Sequence, residues 1–189
     1  MTPASAQRTV HLASLAATEQ FGRWLGQRLF AGAVVGLCGP LGAGKTQLAR
    51  AIAQGLAIGN VRVVNSPTFV LLQEYHDARL PIYHFDLYRL TDERQLAELG
   101  AEEYFYGQGV CLIEWADRFL AALPEERLLV WLQPGPQVSE ARTLDLQASG
   151  SRYVQLLDEL TLPALGFGSP TDPATPPAID PATPTSPGQ

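Results

Sequence analysis

Apolar and polar residues recur along this chain in two periods, and the change from one to the other separates strands from helices. Residues 33–38 form a short unbroken apolar run, the pattern of a strand buried on both faces. Residues 46–53 then place their apolar side chains on one helical face, with Gly55 or Gly59 available as a stop. Upstream, residues 8–12 read as a first strand. Ser14 stands as N-cap to a helix over 15–29, whose Phe21, Trp24, Leu25 and Leu29 share a face. Downstream, 60–64 reads as a strand, and 69–75 and 81–88 as two more joined by a turn at 76–79. Thr91 is the expected cap of a helix over 92–99 that Gly100 ends, and 101–106 reads as a further helical turn. A buried strand over 110–115, strands over 128–132 and 143–146 in a hairpin around Pro134-Gly135-Pro136, and a closing helix over 153–160 complete the pattern. Helices and strands alternate early and strands dominate late, which predicts a three-layer α/β domain with a mixed central sheet.

Composition divides the chain. Residues 1–162 have the make-up of one globular domain, while 163–189 hold eight of the fifteen prolines and almost no charge. Such a segment buries too little apolar area to offset its ordering entropy, so 163–189 reads as a disordered tail. No run of eighteen apolar residues occurs, so no membrane helix is expected, and the first ten residues lack the regions of a signal peptide. Cys38 and Cys111 fall in apolar runs and read as buried free thiols. These features predict a cytoplasmic protein. The net charge of −6 argues against a broad nucleic-acid surface acting alone.

The chemistry centres on one residue. Lys45 is the only lysine beside twelve arginines, and it sits in Gly39-Pro40-Leu41-Gly42-Ala43-Gly44-Lys45-Thr46. The spacing G-x-x-x-x-G-K-[ST], between a strand and a helix, is the phosphate-binding P-loop. It predicts a P-loop NTPase-type domain in which backbone N–H groups and a helix N-terminus cradle the phosphates, Lys45 reaches their outer oxygens, and Thr46 ligates Mg²⁺. Pro40 has no N–H to offer and is tolerable only where the loop donates from elsewhere.

Two carboxylates follow. Glu114 ends the apolar run over 110–114, where P-loop enzymes keep an acid beside the loop for Mg²⁺ or its waters. In His84-Phe85-Asp86-Leu87-Tyr88-Arg89, alternation places His84, Asp86 and Tyr88 on one face. Asp86 is then a candidate to orient the attacking water or hold Mg²⁺ through water; the bland alternative is the polar face of an edge strand. Asn65-Ser66-Pro67-Thr68 suits a switch loop that senses phosphate and metal through Ser66 and Thr68. The lack of a second lysine excludes the guanine-reading Asn/Thr-Lys-x-Asp element, and no L-S-G-G-Q string marks a transporter-type ATPase.

Together Gly39 to Thr46, Ser66-Pro67-Thr68-Phe69, His84-Phe85-Asp86-Leu87-Tyr88-Arg89-Leu90 and Ile113-Glu114-Trp115 resemble the TsaE (YjeE) family in order and spacing, over roughly residues 8–155. The resemblance implies a small P-loop ATPase acting with TsaB and TsaD in making threonylcarbamoyladenosine beside the tRNA anticodon. It implies ATP held by Leu41, Gly42, Ala43, Gly44, Lys45 and Thr46, with Ser14 and Thr18 towards the adenine. Mg²⁺ would lie at Thr46 and Glu114, and Asp86, Glu114 and Lys45 would act in catalysis. It implies that Trp115 adjoins the site and reports nucleotide binding by fluorescence. Pro40 and the tail depart from the family pattern. Two other readings stand beside this one: a small-molecule P-loop kinase, which Arg118 or the arginines at 89 and 94 could serve although no stretch of the chain resembles a dedicated lid, and a nucleotide-gated binding module for which hydrolysis is incidental.

Overall fold

A computed structural model of the chain describes residues 3–135 and 140–160. The tail expected from residue 163, and Pro136 of the expected hairpin turn, lie outside the described residues. Along the chain come β1 (Ser5–Leu12), α1 (Leu15–Arg28), β2 (Val34–Cys38), α2 (Lys45–Gly55), β3 (Leu72–Tyr75) and β4 (Ile82–Asp86). Then follow α3 (Glu93–Glu98), α4 (Ala101–Phe105), β5 (Val110–Glu114), β6 (Arg127–Pro134), β7 (Arg142–Ser149) and α5 (Ser151–Asp158). The strands form one sheet in the order β1-β7-β6-β2-β5-β4-β3. Its centre, β6-β2-β5-β4, is parallel. The flanking pairs β1/β7, β7/β6 and β3/β4 are antiparallel. This is the mixed sheet expected.

Alternation along the central strands sorts side chains to two faces and builds two cores. Val35, Leu37, Ile82 and Leu112 pack under Phe21 and Leu25 of α1 and Leu48 and Ile52 of α2. Val34, Cys38, Phe85, Cys111 and Ile113 face the other way, against Leu96 and Phe105 of α3 and α4. Helix, sheet and helix make the three layers. Both cysteines are free and buried. Burial pushes each thiol up to about 12, so they are core residues at neutral pH. Ser14 caps α1 as expected, its Oγ accepting the Ala17 N–H at 3.2 Å. Gly26 lets α1 lie close on α2, because a Cβ there would run into the Ile52 carbonyl.

Four local expectations fail, each where a side chain or turn claims the backbone first. Residues 60–64 are not a strand; Val61–Val63 is a 3-10 turn, with the Asn60 side chain accepting the Arg62 N–H. The strand expected from 69 begins at Leu72, because the Pro67 carbonyl accepts the N–H groups of Val70 and Leu71 and closes a turn. Asp92, not Thr91, caps α3, its carboxylate accepting from Arg94 and Gln95. The strand expected over 81–88 stops at Asp86, whose own carboxylate accepts the Tyr88 N–H. Nor is β4 an edge strand, since it lies between β3 and β5. No helix among the described residues is long and apolar enough to cross a membrane.

Candidate functional site

The parallel strands β2, β5 and β4 deliver their C-terminal ends to one place. From Cys38 the chain turns into α2 through Gly42 at φ +77° and Gly44 at φ +104°, left-handed conformations in which a Cβ is disfavoured. Because α2 starts at Lys45, its first-turn N–H groups lack intrahelical partners and face the loop, ready for an anion. Pro40 fits by accepting: its carbonyl takes the Ala43 N–H at 3.2 Å and Lys45 Nζ at 2.9 Å. Lys45 Nζ also donates to the Gly39 carbonyl at 2.7 Å and lies 3.4 Å from the centre of the Trp115 ring. Burial pulls this ammonium below its ordinary value, and Glu114, Asp117 and Asp86 oppose the shift. Carbonyls and an aromatic face thus hold the cation beside the anion cradle.

Register then sets the carboxylates. Asp86 on β4 stands opposite Glu114 on β5, and Glu114 opposite Leu37 on β2. Both acids are 2 % exposed. Glu114 Oε2 accepts from Thr46 Oγ1 at 2.8 Å, and its Oε1 meets His84 Nε2 at 2.9 Å. Asp86 Oδ2 accepts from Ser66 Oγ and, at 3.0 Å, from Thr68 Oγ1, while Oδ1 accepts the Tyr88 N–H at 2.9 Å. The two loop hydroxyls singled out in the sequence are therefore fastened to the strand carboxylate. A cavity of about 390 Å³ opens among Leu41, Gly42, Gly44, Lys45, Thr46, Ser66, Thr68, Asp86, Glu114 and Trp115.

Ala43 is fully buried and lines a second cavity of about 250 Å³, across the loop, with Leu15, Thr18, Gln47 and Arg142. Ser14 is not among that cavity's lining residues; its hydroxyl serves the start of α1. Hard oxygen donors at Thr46 and Glu114, next to an anion cradle, suit Mg²⁺ shared with phosphate oxygens. Among the described residues no group of three or more His, Cys, Asp or Glu side chains is placed to hold a metal by itself.

Two participants escaped the sequence reading, as did the partner of a third. Arg142 Nε donates to the Ala43 carbonyl at 2.8 Å across 99 residues, and no spacing signals that pairing. Gln47 borders both cavities from the first turn of α2, where a long polar side chain directly after Lys45-Thr46 was an available sign. His84 carried a signal, a polar residue sharing a strand face with Asp86, but its partner, Glu114, lies 30 residues away.

Residues 12–143 match the family model described as threonylcarbamoyl adenosine biosynthesis protein TsaE. The chain belongs to the TsaE family. The tRNA threonylcarbamoyladenosine biosynthesis protein TsaE of Bacillus subtilis is 46% identical over 130 residues, 69% of this chain and 78% of the relative. Its namesake from Haemophilus influenzae is 44% identical over 115 residues, covering 61% of this chain and 70% of the relative. The Treponema pallidum namesake is 43% identical over 116 residues, 61% of this chain and 84% of that one. The crystal structure of Bacillus subtilis YdiB superposes with a TM-score of 0.70 at 34% identity, covering 83% of this chain and 95% of that one. The TsaE match runs from the end of β1 into β7 and so contains the P-loop, the loop of Ser66 and Thr68, and both carboxylates.

Proposed function

We propose that this chain is a Mg²⁺-dependent ATPase of tRNA threonylcarbamoyladenosine biosynthesis, working in the cytoplasm with partners of the TsaB and TsaD type. The observation that carries the reading is the 2.8 Å contact between Thr46 Oγ1 and Glu114 Oε2 at the mouth of the P-loop. ATP lies with its phosphates along residues 41–46 and its base towards the Ser14–Thr18 turn, near the cavity that Thr18 lines. Thr46 and Glu114 would hold Mg²⁺, which when bound would supply charge neutralisation for the phosphoryl oxygens. Lys45 turns from the carbonyls of Gly39 and Pro40 towards the outer phosphates. Asp86, which lines the same cavity, orients the attacking water or a water of the metal, and Ser66 and Thr68 couple that carboxylate to their loop.

Hydrolysis by the isolated chain is slow under this reading. Among the described residues no arginine lines the cavity of about 390 Å³. Arg118 is committed to the carbonyls of Tyr88 and Leu90, and Arg89 lies over the Phe69 ring at 4.9 Å, which also weighs against a kinase lid built from them. An arginine supplied in trans raises phosphoryl-transfer rates by on the order of 10³–10⁵. The deciding experiment purifies the chain with and without TsaB and TsaD type proteins and with and without ATP, scoring complex formation and phosphate release together. The expected result is ATP-dependent assembly and strong stimulation of hydrolysis. Equal turnover by the isolated chain and the assembly would remove the partner-dependent cycle. Label passing from γ-phosphate to an acceptor other than water would indicate a kinase. In cells, Glu114→Ala and Asp86→Ala variants are expected to lose the tRNA modification; if they bind ATP without hydrolysing it and still support modification, hydrolysis is incidental.

A further inference from the structure

We infer that His84 is a positioning residue that aims the Glu114 carboxylate at the metal position, an inference that rests on the ATPase reading above. His84 is fully buried on β4, and its Nε2 lies 2.9 Å from Glu114 Oε1. The other oxygen of that carboxylate, Oε2, is the one that faces Thr46 Oγ1 at 2.8 Å. One carboxylate is thus divided between an anchor and a working oxygen. The need follows from the residue type. Glutamate carries one more rotatable bond than aspartate, and an unanchored Glu114 would swing Oε2 away from Thr46.

The second nitrogen of the ring identifies the donor. Among the described residues, His84 Nδ1 is buried without a hydrogen-bond partner. An orphaned N–H is rarer and more costly than an orphaned acceptor. The network therefore assigns the hydrogen to Nε2, where Glu114 accepts it, and leaves Nδ1 a bare lone pair. The ladders hold the backbone of His84 in place. His84 pairs across the ladders with Leu112 on β5 and Gln73 on β3, and its strand neighbour Phe85 is locked in the opposite core. The orienting group thus sits on an interior strand of the sheet rather than on a loop. Partners of this kind behind a ligand typically set metal affinity by on the order of 10–100-fold.

Calorimetric titration provides the test: Mg²⁺ into the ADP-saturated protein, and ADP into the protein in EDTA. For His84→Leu, Mg²⁺ affinity is expected to fall by on the order of 10–100-fold. ADP binding in EDTA, which reads the P-loop and the integrity of the fold, is expected to hold. His84→Gln returns an N–H at the ε position and should recover most of the Mg²⁺ affinity, which a purely space-filling role would not predict. Unchanged Mg²⁺ affinity in a folded His84→Leu variant would overturn the inference, as would a His84→Gln variant no better than His84→Leu. A parent protein that binds no ADP would instead break the ATPase reading and leave the ring geometry untouched. The parent also carries its own signature, independent of how the variants fold. A long-range ¹H–¹⁵N spectrum, with His84 assigned by its loss in His84→Gln, should show a protonated, pyrrole-type Nε2 and a bare Nδ1. The reverse pattern would overturn the inference.

Discussion

The β4/β5 pair and the β1/β7 pair both align polar side chains across a ladder, but they do so in opposite surroundings. In β4/β5 the groups are His84, Asp86 and Glu114, each at most 2 % exposed and each hydrogen-bonded to a loop, helix or neighbouring strand. In β1/β7 they are Thr9 with Asp145 at 2.7 Å and His11 with Thr143 at 3.1 Å, all facing solvent. Water can replace the second set at little cost, so those contacts contribute modestly. Burying the first set costs free energy unless every group keeps its partner. The costly arrangement occurs at the strand ends that line or back the cavity beside the P-loop, and the inexpensive one on the solvent-facing side chains of an edge pair. Polar burial in this fold therefore follows the site and not the architecture.

The largest expected effect breaks the comparison outright if it fails. Lys45→Ala removes the cation at the buried end, and nucleotide affinity should fall by about 2–5 kcal/mol, as for other desolvated charge pairs. Calorimetry with ADP reads this directly, and near-parental affinity would mean that the strand ends do not form the nucleotide site.

A second, intermediate effect sharpens the contrast through pH. Cys38 and Cys111 rise from 9.0 to about 12 on burial in β2 and β5. Tyr153, whose hydroxyl accepts the Val34 N–H, rises from 10.0 to about 12. A group with a raised folded value favours the native state below its unfolded value and loses that contribution as pH climbs through the folded one. Melting temperature should therefore hold up to about pH 9 and fall by several degrees towards pH 12, with Cys111→Ala showing a shallower fall. An identical alkaline slope in that variant would place the titrating groups elsewhere.

The smallest effect belongs to the exposed pair. Thr9→Val should change stability by less than about 1 kcal/mol, since water satisfies what the threonine leaves and Gln133 still donates to Asp145 at 3.0 Å. Phosphate release should not change. A larger loss in chemical denaturation would show that the solvent-facing ladder matters as much as the buried one.

Legibility in the sequence tracked distance along the chain. Ser14 and the face of Phe21, Trp24 and Leu25 announced α1 because capping and helical spacing are local. Asn60-Val61-Arg62-Val63-Val64 misled for the complementary reason. Its apolar valines suit a strand, but the Asn60 side chain and the Arg50 guanidinium, which donates to the Val64 carbonyl at 2.9 Å, take up the backbone groups a ladder would need. Ser66, Thr68 and Asp86 were each singled out, yet their junction was not, because it depends on where the turn at Pro67 sets the loop against β4.

From the sequence alone came the P-loop with its single lysine, the two carboxylates, the buried thiols and the three-layer plan. Each is a matter of residue type and short-range period, which the covalent chain carries by itself. Tertiary structure alone decided which carboxylate oxygen faces Thr46 and which faces His84, that Arg142 reaches the loop, and that β4 is interior rather than edge. Those outcomes depend on strand order and register. Both are chosen by how the whole set of apolar faces packs together, and no window of the chain contains that information.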